Sequence, residues 1–136
     1  MPTAPPEPAS AVPRFSVAGA FLEALAAQDF DGLAATLAPG VHVRGLMPGG
    51  SREWLGPPAV RDQFAAWFGD PSFALVDAVV GEVGARLHLR WRVRMRRPPA
   101  PGWSVVEQQV YADTGADGRI ERLSLLCSGF QPEAVR

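Results

Sequence analysis

Few side chains in this sequence are equipped for chemistry, and most of them lie in its last third. Cys127 is the single cysteine, so no intramolecular disulfide can form. As a nucleophile it would need a base or a cation beside it to favour the thiolate. Glu107 and Gln108 stand together in the middle of an extended run, so on a strand they face opposite ways. If Gln108 faces inward, its amide can polarise a carbonyl. If Glu107 does, the carboxylate becomes a candidate general base, with Gln109 and Tyr111 on the same wall. His42 and His88, without further cysteines, do not make a structural zinc site, and no glycine-rich phosphate loop is present. Chemistry without a metal or a cofactor is therefore expected.

Which of these residues meets a site depends on the stretch from Arg86 to Arg96. Its even positions read Arg86, His88, Arg90, Arg92, Arg94 and Arg96, and its odd positions Leu87, Leu89, Trp91, Val93 and Met95. Successive side chains of a strand alternate between faces, so one face is cationic and the other apolar. Turning the cationic face inward would strip water from five guanidiniums, at several kcal/mol each. The apolar face is therefore expected inside. The same reasoning sends Val106, Gln108 and Val110 inward from the next strand, and Leu123, Leu125 and Cys127 from the last. That parity turns Cys127 away from both histidines and predicts an inert buried thiol, with thiolate chemistry as the competing reading. His42 with Arg44 reads as a solvated edge. The arginine ladder fits an outer sheet face balanced by Glu107, Gln109, Tyr111 and acids such as Asp77, in one version across a dimer interface. It also fits an anion site for a carboxylated or phosphorylated ligand. A nucleic-acid surface is the third option, disfavoured by a net charge of −1 and the lack of an accompanying motif.

The elements that hold these residues can be read from pattern. The chain has 136 residues, 47% hydrophobic and 20% charged, which fits one compact domain and excludes a membrane protein, a collagen, a coiled coil and a polycation. Every basic residue is Arg, and with 14 Pro and 14 Gly this suggests a GC-rich bacterial genome. Cytoplasm is the default compartment. Residues 1–14 hold five prolines and read as an extended or disordered leader, 15–131 as a single domain and 132–136 as a tail. Val17, Phe21 and Leu25 recur at helical spacing, with Ser16 as a cap. A short helix is expected from about Asp31, carrying Leu33 and Leu37 and stopped by Pro39-Gly40. Val41 to Arg44 alternates as a strand, and Gly45 to Gly56 reads as a loop or flap. Pro57 and Pro58 open a third helix with Val60, Phe64 and Trp67 or Phe68 on one face, and Gly69 ends it. Four long extended stretches follow, about 73–83, 85–97, 103–113 and 119–130, with short Gly or Pro connections that imply antiparallel hairpins. Helices first and a long sheet after is an α+β arrangement with the helices on one sheet face.

This order, with Phe21-Leu22-Glu23-Ala24-Leu25, Asp29-Phe30-Asp31-Gly32-Leu33, Gly56 and Val60, and Asp117-Gly118-Arg119-Ile120, resembles the SnoaL-like and ketosteroid-isomerase-like group of the nuclear transport factor 2-like superfamily. The resemblance spans about Val17 to Phe130. It implies a cone: a curved, largely antiparallel, mixed sheet wrapped around about three N-terminal helices, enclosing a pocket and often pairing through its outer face. Of the group's chemical positions, the first-helix tyrosine falls on Phe21, the general-base aspartate near Gly45 and the second acid near Gln108. The carboxylate of limonene-epoxide-hydrolase-like members falls near Leu125. All four are altered, so isomerisation by a carboxylate base and an acid is not expected.

The walls implied are Phe21, Leu25, Val43, Met47, Phe64, Trp67, Leu89, Trp91, Val93, Val106, Val110, Leu123 and Leu125, with Met47 and Trp54 on a gating flap. The function implied is binding of an apolar, polyketide-like or terpenoid-like molecule, as in secondary metabolism, and its cyclisation or isomerisation by enforced conformation and exclusion of water. Gln108, or less favourably Glu107 or Cys127, supplies the polar contact. The partners expected are that ligand and a second copy of the chain, with no membrane. The alternative is a non-catalytic binding or dimerisation module with a vestigial pocket, which a cavity below about 300 Å3 would favour.

Overall fold

The computed structural model describes residues 11–134, with side chains described from residue 15. The proline-rich leader expected over 1–14 lies mostly outside the described residues. Helix α1 (Ala11–Ala26) is followed by α2 (Phe30–Ala35), strands β1 (Leu37–Met47) and β2 (Gly50–Leu55), and α3 (Pro57–Phe68). The remaining strands are β3 (Ala74–Val83), β4 (Arg86–Arg96), β5 (Trp103–Thr114), β6 (Ile120–Cys127) and the short β7 (Gln131–Pro132). All belong to one sheet in the order β2-β1-β6-β5-β4-β3, with β7 beside β5. The β1–β6 pair is parallel and the other pairs are antiparallel, so the sheet is mixed. Among the described residues, no helix is long and apolar enough to cross a membrane.

The helices form where apolar spacing and end signals agree. Ala18, Phe21 and Leu25 are fully buried at i, i+3 and i+7 on α1. This helix begins at Ala11, so Ser16 lies inside it and does not cap it. Asp29 caps α2, accepting a hydrogen bond from the Gly32 amide at 2.9 Å. That helix ends at Ala35, so Leu37 is a strand residue and not part of the helical face expected for it. The turn between α1 and α2 is tied to α3 by Gln28, whose amide donates to the carbonyls of Phe68 and Asp70 at 2.8 Å each. Gln28 adopts φ 55°, a left-handed conformation costing a non-glycine residue about 1–2 kcal/mol. Its two long-range hydrogen bonds offset that strain. Pro57 and Pro58 occupy the first turn of α3, and Val60, Phe64 and Phe68 turn into the core.

Two stretches of the sheet depart from the pattern reading. The region expected to be a loop or flap is a hairpin: β1 runs to Met47 and pairs with β2 in register from His42–Leu55 to Met47–Gly50. The last strand stops at Cys127, and the chain turns through Ser128 to Phe130 before β7 pairs with the start of β5. The start of the segment read as a tail is thus docked, with the Glu133 amide donating to the Trp103 carbonyl at 2.9 Å.

Candidate functional site

Strands β4, β5 and β6 face as their parity dictates. Leu87, Leu89, Trp91, Val93 and Met95 are all buried, as are Val106, Gln108, Val110, Leu123, Leu125 and Cys127. They meet Phe21 and Leu25 of α1, Val43 of β1 and Phe64 of α3 in one core. At its centre the Phe21 ring lies 5.5 Å from Trp91 and 5.8 Å edge-on to Phe64, and Phe64 is 6.2 Å from Trp91.

One polar chain crosses this apolar wall. The Trp91 indole N–H donates to Gln108 Oε1 at 2.9 Å, and Gln108 Nε2 donates to Cys127 Sγ at 3.4 Å. The Gly129 amide also reaches that sulfur at 3.4 Å. Among the described residues, the buried polar side chains are Thr36, Ser104 and Gln108, with Gln108 only 1% exposed. Burying an amide is costly without partners, and here both ends of the amide have one. Gln108 is therefore the inward member of the Glu107–Gln108 pair, and its register partners are Trp91 on β4 and Cys127 on β6.

Glu107 faces the other way. Its carboxylate accepts from Arg90 at 3.0 Å and Arg92 at 3.1 Å on the outer side of the sheet. The reading that makes it a base inside the cone is thereby overturned, and Gln109 and Tyr111 leave the inner wall with it. Cys127 sits against an amide and a backbone N–H, with no base or cation in its hydrogen-bond set. The thiolate reading finds no support in that environment.

The mouth of the cone is built by the β1–β2 hairpin and α3. Trp54 donates its indole N–H to Gln63 Oε1 at 3.2 Å and packs edge-on against Trp67, 5.6 Å between centroids. Arg52 reaches the same Gln63 oxygen at 3.1 Å and lies over the Trp54 ring. A Cβ added to Gly45 would meet the Trp54 ring at 3.0 Å and Met47 Sδ at 3.3 Å. The position where the resemblance places a general-base aspartate is thus covered by an indole and a thioether. Met47, Trp54 and Trp67 are half-buried, at the rim of the core.

Among the described residues the centre of the interior is packed. Phe21, Leu25, Leu89, Trp91, Val93 and Val110 are each 0% exposed, packed against their neighbours. A ligand would have to displace side chains to enter. Among the described residues, no group of three or more His, Cys, Asp or Glu gathers as a metal would need.

Opposite the core, four of the five ladder arginines meet carboxylates, Arg90 and Arg92 sharing Glu107, while Arg96 lies 4.7 Å over the Trp103 ring. Arg86 grips both oxygens of Asp113 at 2.8 and 3.1 Å. Arg90 bridges Asp77 and Glu107, whose hydrogen bonds hold its pKa above the ordinary arginine value. Arg94 pairs with Glu133 and lies 3.9 Å over Trp103, and hydrogen bonding to Arg94 lowers the Glu133 pKa. Asp113 and Glu133 are partners that pattern reasoning missed. The Arg86–Asp113 partnership follows once the β4–β5 register is known, whereas Glu133 required the docked β7.

A family model described as a SnoaL-like domain matches residues 18–123. No curated protein shows significant similarity to the chain. Among solved structures, Bal32a, from a soil-derived mobile gene cassette, superposes with TM-score 0.71 at 16% identity, covering 88% of this chain and 92% of that one. A protein assigned provisionally as a polyketide cyclase, from Xanthomonas campestris pv. campestris, gives 0.66 at 21% identity, with 87% and 92% covered. An LEH-like epoxide hydrolase from M. tuberculosis gives 0.62 at 16% identity, with 86% and 84% covered. At these identities the structures share the fold.

Proposed function

The chain belongs to the SnoaL-like family, and on that premise we propose that it binds an apolar, polyketide-like or terpenoid-like small molecule inside its cone. The proposed reaction is a cyclisation or isomerisation that uses no protein acid or base. The observation that carries this reading is the wall itself: an apolar lining crossed by one amide, Gln108, buried between Trp91 and Cys127. An apolar pocket with a single placed polar group orients a ligand more than it activates one. Confinement in a reactive conformation and exclusion of water are what such a site can contribute, with the Gln108 amide exchanging one of its present partners for a carbonyl. Entry requires the Trp54–Met47 cover to lift from Gly45. The provisional cyclase assignment of the Xanthomonas neighbour supports the reaction class.

A second reading, a binding or pairing module with a vestigial pocket, is favoured by the packed centre of the interior, where the central side chains are fully buried. Titration with the neutral apolar dye N-phenyl-1-naphthylamine separates the two. Ligand uptake into the cone predicts saturable binding that Trp54→Ala accelerates by opening the mouth, and quenching of tryptophan emission that a Trp91→Phe variant loses in part. A vestigial pocket predicts no saturable binding to either protein. Cyclase function further predicts that Gln108→Leu keeps dye binding while losing turnover of a carbonyl-bearing substrate.

A further inference from the structure

The outer face of the same sheet holds a second concavity that the cone does not account for. Cross-strand register sets Leu46 beside Leu126, Arg44 beside Ser124 and then Tyr111, and His42 beside Arg122 and then Asp113. Along the strands the rows therefore pass from apolar to cationic. Leu46 and Leu126 are 59% and 54% exposed, large values for leucines in the middle of a sheet. A cleft of about 430 Å3 is lined by Leu46, Leu126 and Tyr111, and a neighbouring one of about 490 Å3 by His42, Arg86 and Arg122. Arg44 and Ser124 line both, so the two form one trough with an oily end and a basic end.

The charges do not cancel at the basic end. Three guanidiniums, Arg44, Arg86 and Arg122, line the trough against the carboxylates of Glu53 and Asp113. Asp113 gives both oxygens to Arg86. Glu53 lies 3.5 Å from Arg44 and 3.6 Å from His42 Nε2. That buried nitrogen has no hydrogen-bond partner. Arg122 is exposed and has no carboxylate partner among the described residues. Arg86, Arg90, Arg92 and Arg94 of the ladder each meet a carboxylate on the same face, whereas Arg122 at this end of the trough meets none among the described residues.

We propose that the trough binds an amphipathic carboxylate, with its apolar body on Leu46, Leu126 and Tyr111 and its head at Arg122, Arg44 and His42. A guanidinium fork matches a carboxylate in geometry. A single negative charge fits the local surplus, whereas a phosphate dianion would set twice the charge against Glu53 and Asp113. The site lies on the opposite side of the sheet from the cone and does not depend on what the interior binds.

Calorimetric titration of the full chain with octanoate, and with 1-octanol as its uncharged counterpart, tests the assignment. Saturable octanoate binding is expected, with octanol at least about tenfold weaker. Arg122→Gln should weaken octanoate about tenfold and Leu126→Ser about fivefold, both at exposed positions where folding is not at stake. Arg61→Gln, on α3 and remote from the trough, makes the same change in net charge and should leave binding unaltered. Equal binding of octanol and octanoate would overturn the proposal, as would an Arg122→Gln effect no larger than that of Arg61→Gln. So would a stable dimer that Leu126→Ser dissociates, because a second copy would then occupy the strip.

Discussion

The two faces of β4 and β5 are made by the same residues in alternation, yet they are held by different physics. Inside, Trp91, Val93, Val106 and Val110 are at most 1% exposed and bound by packing, with a single polar chain through Gln108. Outside, Arg86, Arg90, Arg92 and Arg94 are partly exposed and each grips a carboxylate in or near water. Removing atoms from the inner face leaves a cavity that close-packed neighbours refill only in part, whereas the outer pairs exchange one solvated arrangement for another. Truncations at adjacent positions of one strand should therefore differ several-fold in cost. Trp91→Ala is expected to lose about 3–5 kcal/mol of unfolding free energy in denaturant titrations. Its neighbour Arg92→Ala should lose no more than about 1 kcal/mol. Comparable losses at the two positions would mean that the faces are not energetically distinct.

The next largest effect sharpens the contrast within the inner face. Gln108→Leu keeps the volume of the side chain but leaves the Trp91 indole N–H buried without an acceptor, at a cost of about 1–3 kcal/mol. Replacing Trp91 by Phe in the same protein removes the orphaned donor. The double variant Gln108→Leu/Trp91→Phe should then lose less stability than the two single losses added together, a coupling that a double-mutant cycle measures directly. Strict additivity would show that the hydrogen bond between them contributes nothing.

The same contrast explains what could be read in advance. Arg86 to Arg96 alternates so sharply that burying its even positions is energetically excluded, and this one strand fixed the facing of Gln108, Glu107 and Cys127 through parity. The hairpin strand β2 carried no such signal. Gly50 to Leu55 reads Gly-Ser-Arg-Glu-Trp-Leu, exposed at every position but Trp54, and it is a strand because β1 offers it an edge. Leu37 follows an apolar helix face and looks like its continuation, but α2 ends two residues earlier and Leu37 opens β1. Close packing at the centre of the cone was equally invisible. A list of apolar inward residues is the same for a pocket wall and for a solid core, and only the fit of Phe21, Phe64 and Trp91 against one another separates them. Asp113 and Glu133 as ladder partners depend on register and on a docked terminal strand, neither of which local composition encodes.

The smallest expected effect belongs wholly to the outer face and depends on pH. Glu133 follows β7 and accepts hydrogen bonds from Arg94, which lower its pKa below the ordinary glutamate value of 4.5. A carboxylate with a depressed pKa in the folded state contributes its full stabilisation above the unfolded pKa, and that contribution is lost as pH falls through the lower folded value. The window therefore lies on the acid side of about pH 4.5, where the Arg94–Glu133 contact releases and β7 loses a tie to β4. Among the described residues the inner face buries no carboxylate, and it should not respond there. Amide hydrogen exchange followed from pH 6 down to pH 3, corrected for the intrinsic rate, should show the Glu133 amide losing protection while Gln108 and Val110 retain theirs. Glu133→Gln should remove most of the pH dependence of that loss. If protection at Glu133 and Val110 declined together, acid would be acting on the domain as a whole, and the outer face would not be the independently titrating layer that its ion pairs imply.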